Sequence, residues 1–210
     1  MIRCNNVKLV GTLASQPQIR KDKNEEEFIA FEVSVLVPVK DGEGYKQTIS
    51  VAMGTDGLVN ATRPVGTRVQ LEGTMTFHKT MTNSYVNLSA SSISADDVPG
   101  EDSVTGEIDF KGTTGQDFLS KTDKNGKPYL IFSAYSSEKI GENDYTYTWV
   151  RFIQFDTTQP DWMKAMTGIH AIGKLKLSAY KDRQGADHLE IGCTAKSVEP
   201  WDKTASSKNQ

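Results

Sequence analysis

Apolar and polar residues alternate along this chain in short runs, and no stripe of helical period is sustained. Alternation with period two predicts strands with one buried face. The run VKLVG ends at Gly11. A polar, lysine-bearing turn leads to EEEFIAFEVSV, the glycine-containing hairpin VKDGEGY and the run KQTISVAM. DGLVNATR predicts a short helix, and RVQLEGTMTF, a polar loop and YVNLSASSI follow. The same order then returns: EIDFKG ending at Gly112, GKPYLIFSAYS, KIGENDY, YTWVRFIQ, QPDWMKAM, HAIGKLKLSAY and HLEIGCTAKSV. Pro160 suits the first turn of a second short helix. The halves are offset by 101 residues, and such self-similarity marks a repeated unit. Residues 1–97 form the first unit and 104–201 the second. Residues 98–103, with Pro99-Gly100 among acidic residues, read as a linker, and 202–210 as a short flexible tail.

Each unit reads β-β-β-(α)-β-β. That is the order of the oligonucleotide/oligosaccharide-binding (OB) barrel. The expected fold is all-β: two tandem five-stranded Greek-key barrels, each with a short helix between its third and fourth strands.

Three stretches carry a family resemblance. Asn5-Asn-Val-Lys-Leu-Val-Gly-Thr-Leu13 resembles the opening strand of bacterial and phage-type single-stranded DNA-binding proteins. Thr148-Trp-Val-Arg-Phe-Ile-Gln-Phe155 resembles their third strand. Gly173-Lys-Leu-Lys-Leu-Ser-Ala-Tyr-Lys-Asp182, with Gly185 beyond it, resembles their fourth strand and the following loop. The resemblance implies binding of single-stranded DNA without strong sequence preference, in replication, recombination or repair. OB grooves also accept RNA. Two chains would supply the four barrels in which the family assembles, so a homodimer is expected. The family commonly carries one barrel per chain and ends in an acidic tail that recruits partners. Here the end is WDKTASSKNQ, and no such recruitment is expected.

Strand alternation assigns faces. In the third strand of the second unit Val150 and Phe152 face one side. Tyr145, Tyr147, Trp149, Arg151, Ile153 and Phe155 face the other, which the tyrosines and arginine make the outer one. Tyr135 joins them from the second strand. In the fourth strand Leu175, Leu177 and Ala179 point in, and Lys174, Lys176 and Tyr180 point out. Lys181 and Arg183 follow in a loop whose counterparts close over nucleic acid. Bases stack on outward aromatics at ~1–3 kcal/mol each while cations hold phosphate. The contacts expected to bind DNA are Tyr135, Tyr147, Trp149, Arg151, Phe155, Lys174, Lys176, Tyr180, Lys181 and Arg183. Weaker ones are expected at Lys121, Lys124 and Lys127 in the hairpin between the first two strands. The alternative is that the aromatic row is a protein interface, as in an OB-fold adaptor of a replication or restart complex.

The first unit keeps the inward Ile49, Val51 and Met53 but replaces the platform. Thr48, Ser50, Ala52 and Gly54 stand for Trp149, Arg151, Ile153 and Phe155. Thr74, Thr76 and Thr80 stand for Lys174, Lys176 and Tyr180. Only Arg20, Lys21, Lys23, Lys79 and Tyr85 remain as weaker contacts. Phe31, with Val33 and Val35, reads as core. Trp162 is expected to cap the bottom of the second barrel and Trp201 to staple the chain after its last strand.

Composition adds limits. The 210 residues hold 24 basic and 27 acidic side chains, a formal charge of −3, divided evenly between the halves. Charge therefore says little, whereas aromatics divide five to thirteen in favour of the second half. No apolar run reaches the ~18 residues of a membrane span. The N-terminus lacks a secretory signal, so a cytoplasmic location is expected. Cys4 and Cys193 read as buried or unpaired thiols, and three histidines without shared spacing argue against a metal site. No nucleophile elbow, phosphate loop or zinc-protease motif occurs, so neither an enzyme nor a cofactor is expected.

Overall fold

A computed structural model describes residues 2–39 and 42–202, so the expected tail lies, from residue 203, outside the described residues. Among them the chain forms β1 (Ile2–Leu13), β2 (Gln18–Lys21), β3 (Glu27–Val37), β4 (Tyr45–Gly54), α1 (Leu58–Ala61), β5 (Arg68–Lys79) and β6 (Ser84–Ser94). β7 (Ser103–Thr122), β8 (Pro128–Lys139), β9 (Tyr145–Phe155), β10 (Gly168–Lys181) and β11 (Asp187–Pro200) follow.

In the first unit β1 pairs with β3, β3 with β4, β4 in parallel with β6, β6 with β5, and β5 back with β1. The second unit repeats this circuit through β7, β8, β9, β11 and β10. Each is a closed five-stranded barrel with strand order 1-2-3-5-4, and the fold is two tandem OB barrels. Closure needs the first strand to bend closely over the second. A Cβ at Gly11 would lie 2.6 Å from the Ser34 carbonyl oxygen, and one at Gly112 would collide with that of Tyr135. Only glycine permits this approach, at equivalent places in both units.

The two first strands, β1 and β7, pair antiparallel and join the barrels into one sheet. Across this seam the hairpin after β3 reaches the second barrel: the Ala179 N–H donates to the Pro38 carbonyl oxygen at 2.8 Å. The segment expected as a linker is held down. Asp102 accepts from Arg68 and from the Leu36 N–H, and Arg68 donates to the Pro99 carbonyl.

The cores fill from the predicted inward positions. Phe31, Val33, Val35, Ile49, Val51 and Met53 are buried in the first barrel. In the second, Phe110, Phe132 and Phe152 pack together, the last two stacked at 4.9 Å and Phe110 edge-on to Phe152 at 5.0 Å. Three of the thirteen aromatics are thus interior. Cys4 and Cys193 are buried, and desolvation pushes both thiols up to about 12.

Two expectations fail. The helix expected over QPDWMKAM is absent, and residues 160–167 form two single turns: the Met163 N–H donates to Pro160 and the Thr167 N–H to Lys164. Gln159 Nε2 and Thr114 Oγ1 donate to the Met163 and Lys164 carbonyls and hold the two turns, and Met166 lies at φ 61°, which a helix does not permit. Without a helix to aim it inward, Trp162 is 36% exposed, and Met163, 1% exposed, sits in the core instead. The first unit does carry its short helix, α1, after a 3₁₀ turn at Thr55–Gly57. The backbone N–H of Trp201 bonds Gly168, fixing the chain just after β11.

Candidate nucleic-acid interface

The outer face of the second barrel is a grid set by strand register. β8 and β9 align Tyr135 with Trp149, Ser133 with Arg151, Ile131 with Ile153 and Tyr129 with Phe155. β9 and β11 align Arg151 with Gly192 and Ile153 with Thr194. β10 and β11 align Lys176 with Gly192, Lys174 with Thr194 and Tyr180 with His188. One row therefore reads Ser133-Arg151-Gly192-Lys176 and the next Ile131-Ile153-Thr194-Lys174.

The phenylalanine core occupies the interior, so the aromatics of β9 cannot turn in. Tyr147, Trp149, Phe155 and Tyr180 remain 45, 50, 54 and 48% exposed. Such exposure of large rings on one face is unusual unless something covers them. The rings brace one another. Tyr135 lies 5.0 Å from Trp149 and 5.3 Å edge-on to Tyr147, Tyr129 lies 5.8 Å from Phe155, and Tyr180 lies 5.6 Å from His188. Neighbours in the sheet thus orient each ring before any ligand arrives.

The cations divide into free and paired. Lys174 and Lys176 are exposed, and Lys176 flanks Gly192, which offers no side chain to crowd it. Among the described residues no ion pair forms at Lys174, Lys176, Arg183, Lys121 or Lys124. Lys181 pairs with Asp187 at 2.9 Å, Lys127 with Asp156 at 3.3 Å and Arg151 with Glu190 at 3.5 Å. Those three cations are partly neutralised where they stand.

In the first barrel, Thr48, Ser50 and Ala52 occupy the outer positions of β4, and Thr74 and Thr76 those of β5. The bulges at Gly73 and Gly173 stand 100 residues apart, the offset that sets Thr74 against Lys174 and Thr76 against Lys176. One edge of this barrel nevertheless joins the second. His78, Lys79, Asn83 and Tyr85 line a groove of about 420 Å³ with Tyr147, Trp149, Tyr180 and His188. Lys79 Nζ donates to the Tyr147 carbonyl at 3.5 Å, His78 Nδ1 lies 3.1 Å from Glu138, and His78 stacks on Tyr85 at 6.4 Å. Arg20, Lys21 and Lys23 stay apart on the β2–β3 hairpin, with Lys21 paired to Glu25 at 3.4 Å. Tyr129, His78, His188 and Glu190 were not singled out from sequence. The hairpin register around the Asp182–Gly185 turn would have placed His188 opposite Tyr180.

No protein-family model matches the chain, and no curated protein matches it. Among solved structures it is similar to the single-stranded DNA binding protein from Thermus aquaticus, at 16% identity over 97% of this chain and 94% of that one, with a TM-score of 0.46. The small single-stranded DNA-binding protein from Streptomyces coelicolor is similar over 48% of this chain and 96% of its own, at 22% identity and a TM-score of 0.35. Plasmodium falciparum SSB in complex with ssDNA is similar over 46% and 94%, at 16% identity and 0.35.

Proposed function

We propose that the protein binds single-stranded DNA without strong sequence preference, chiefly through the outer face of its second barrel. The observation that carries this is the row of half-exposed, mutually braced rings on β8, β9 and β10, flanked by free lysines. Bases stack on Tyr147, Trp149, Phe155, Tyr180 and the rim of Tyr135. Lys174, Lys176 and Arg183 hold phosphates, Lys181 does so by exchanging its carboxylate partner, and Arg151 adds its charge to the row while it stays beside Glu190. Four stacked bases supply about 4–12 kcal/mol gross, before ordering costs. A chain of net charge −3 can bind a polyanion because these cations are grouped on one face. The groove lined by Lys79 and Tyr85 gives the strand an exit onto the first barrel. Lys121, Lys124 and Lys127 on the β7–β8 hairpin add a weaker electrostatic rim, and Arg20, Lys21 and Lys23 a more distant one. Coating of this kind serves replication, recombination or repair, and a homodimer would present four barrels to one strand.

The test is titration with oligo(dT) followed by tryptophan emission. Strong quenching is expected in the native chain and much weaker quenching in Trp149→Phe. Affinity should fall with salt at about −0.7 log units per neutralised phosphate. Unchanged emission with no gel shift at low salt would overturn the proposal and favour a protein partner for the same face. Light scattering that returns the mass of one chain would remove the homodimer.

A further inference from the structure

Glu190 does not suit a face that only tracks phosphates. A carboxylate there repels the backbone it should attract, yet its position is fixed. Ser178 Oγ donates to Glu190 Oε1 at 3.3 Å, and Arg151 Nη1 lies 3.5 Å from Oε2. Its side chain is 31% exposed, and it lines with Trp149, Arg151, Ser133, Asp117 and Leu119 a pocket of about 450 Å³. A base stacked on Trp149 turns its hydrogen-bonding edge sideways, in the plane of the ring, toward the groups that line this pocket.

A carboxylate accepts and does not donate, and each of its oxygens carries two lone pairs. Ser178 takes one lone pair of Oε1, the Arg151 contact at 3.5 Å is an ion pair, and at least one lone pair on each oxygen remains. That leaves a pair of acceptors side by side. Guanine presents two parallel donors, N1–H and N2–H, on one edge. Adenine and cytosine present one amino donor beside a ring-nitrogen acceptor, which a carboxylate repels. Thymine presents one N–H between two carbonyl oxygens. Complementarity therefore selects one base.

We propose that Glu190 makes the Trp149 subsite selective for guanine, within a face that otherwise stacks any base. This rests on the single-strand binding proposed above. A good bidentate contact discriminates by roughly 5- to 150-fold, and a half-exposed site belongs at the lower end.

The experiment measures affinities of the full chain for oligo(dT) and for the same oligonucleotide with one central dG, dA, dC or deoxyinosine. One dG suffices because the chain can shift register to seat it. Binding to the dG probe should be about 5- to 10-fold tighter than to oligo(dT). Deoxyinosine, which lacks the N2 amino group, should lose most of that gain. Glu190→Gln should bring the dG and dT probes to within about twofold of each other. Ser178→Ala, which frees one carboxylate oxygen without removing the charge, should reduce the preference in part. An equal dG-to-dT ratio in the native chain overturns the inference. So does a uniform rise in affinity for every probe in Glu190→Gln, which would show a carboxylate that only repels phosphate. Failure of every probe to bind would overturn the single-strand reading as well.

Discussion

Asp182 Oδ2 and His188 Nε2 lie 2.8 Å apart across the mouth of the β10–β11 hairpin, tying the turn to the residue that flanks Tyr180. The same carboxylate accepts the backbone N–H groups of Gln184 at 2.8 Å and Ala186 at 2.9 Å. The bond from His188 is the largest cause holding the Asp182 carboxyl below its ordinary 3.8, with the Ala186 N–H next. A carboxyl depressed by folding adds stability that is complete above its unfolded pKa and is lost as pH falls through the lower folded value. The hairpin should therefore keep its structure at pH 5 and loosen only below about 3.8. NMR line shapes of His188 and Tyr180 report this directly. Asp182→Ala should bring the loosening to neutral pH and weaken oligo(dT) binding, while Asp182→Asn, which keeps an acceptor oxygen, should preserve more of both.

That turn occurs three times among the described residues. Asp22, Asp123 and Asp182 each accept from the N–H groups two and four residues on, and each third follower has positive φ: Glu25 at 65°, Gly126 at 80° and Gly185 at 86°. Left-handed backbone costs a side-chain-bearing residue about 1–2 kcal/mol that glycine avoids. Gly126→Ala and Gly185→Ala should each destabilise by about 1 kcal/mol in urea denaturation. Glu25→Gly should be neutral or gain a few tenths, because relieved strain is offset by unfolded-chain entropy and the loss of an exposed ion pair to Lys21.

Alternation along β3, β4, β8, β9 and β10 was enough to place the core and the open rings, because burial of one sheet face imposes period two. Long-range events were not legible in the same way. The turns over residues 160–167 are held in part by Thr114, whose hydroxyl donates to the Lys164 carbonyl from 50 residues away. Carboxylate partners such as Glu190 for Arg151 depend on β9 and β11 lying side by side in parallel, which no local pattern announces. The first barrel's contribution was visible in Lys79 and Tyr85 as residue types. Its location beside Tyr147 follows only from the pairing of β1 with β7.

Asp102 concentrates the joint between the barrels. It receives Arg68 and the Leu36 N–H, its side chain is 17% exposed, and Arg68 Nε is already buried without a partner. Asp102→Ala removes the charge partner of that guanidinium, leaving it Thr12 and the Pro99 carbonyl, and takes the acceptor from a strand N–H. The expected cost is about 2 kcal/mol, between the values for a neutral hydrogen bond and a fully buried pair. Asp102→Asn should cost less. Denaturation midpoints with an unchanged m-value would place the effect in the folded joint.

The groove between the barrels predicts a dependence on oligonucleotide length. Tyr85 and Lys79 sit beside Tyr147 and Tyr180 but beyond the main row of rings. A short oligonucleotide can satisfy Trp149, Phe155 and the β10 lysines without reaching the groove's first-barrel wall, whereas a longer one must cross the groove to reach the first barrel. Tyr85→Ala should therefore leave affinity for the shortest tight-binding oligo(dT) within about twofold, and should weaken longer ones by about 1–3 kcal/mol, the worth of one stacked base. Lys79→Met should lower the salt slope by about 0.7 for the long oligonucleotide alone. Thr48→Ala, on the smooth outer face of the first barrel, should change neither. Equal losses at both lengths in Tyr85→Ala would mean that the groove belongs to the primary site, and no loss at either would confine binding to the second barrel.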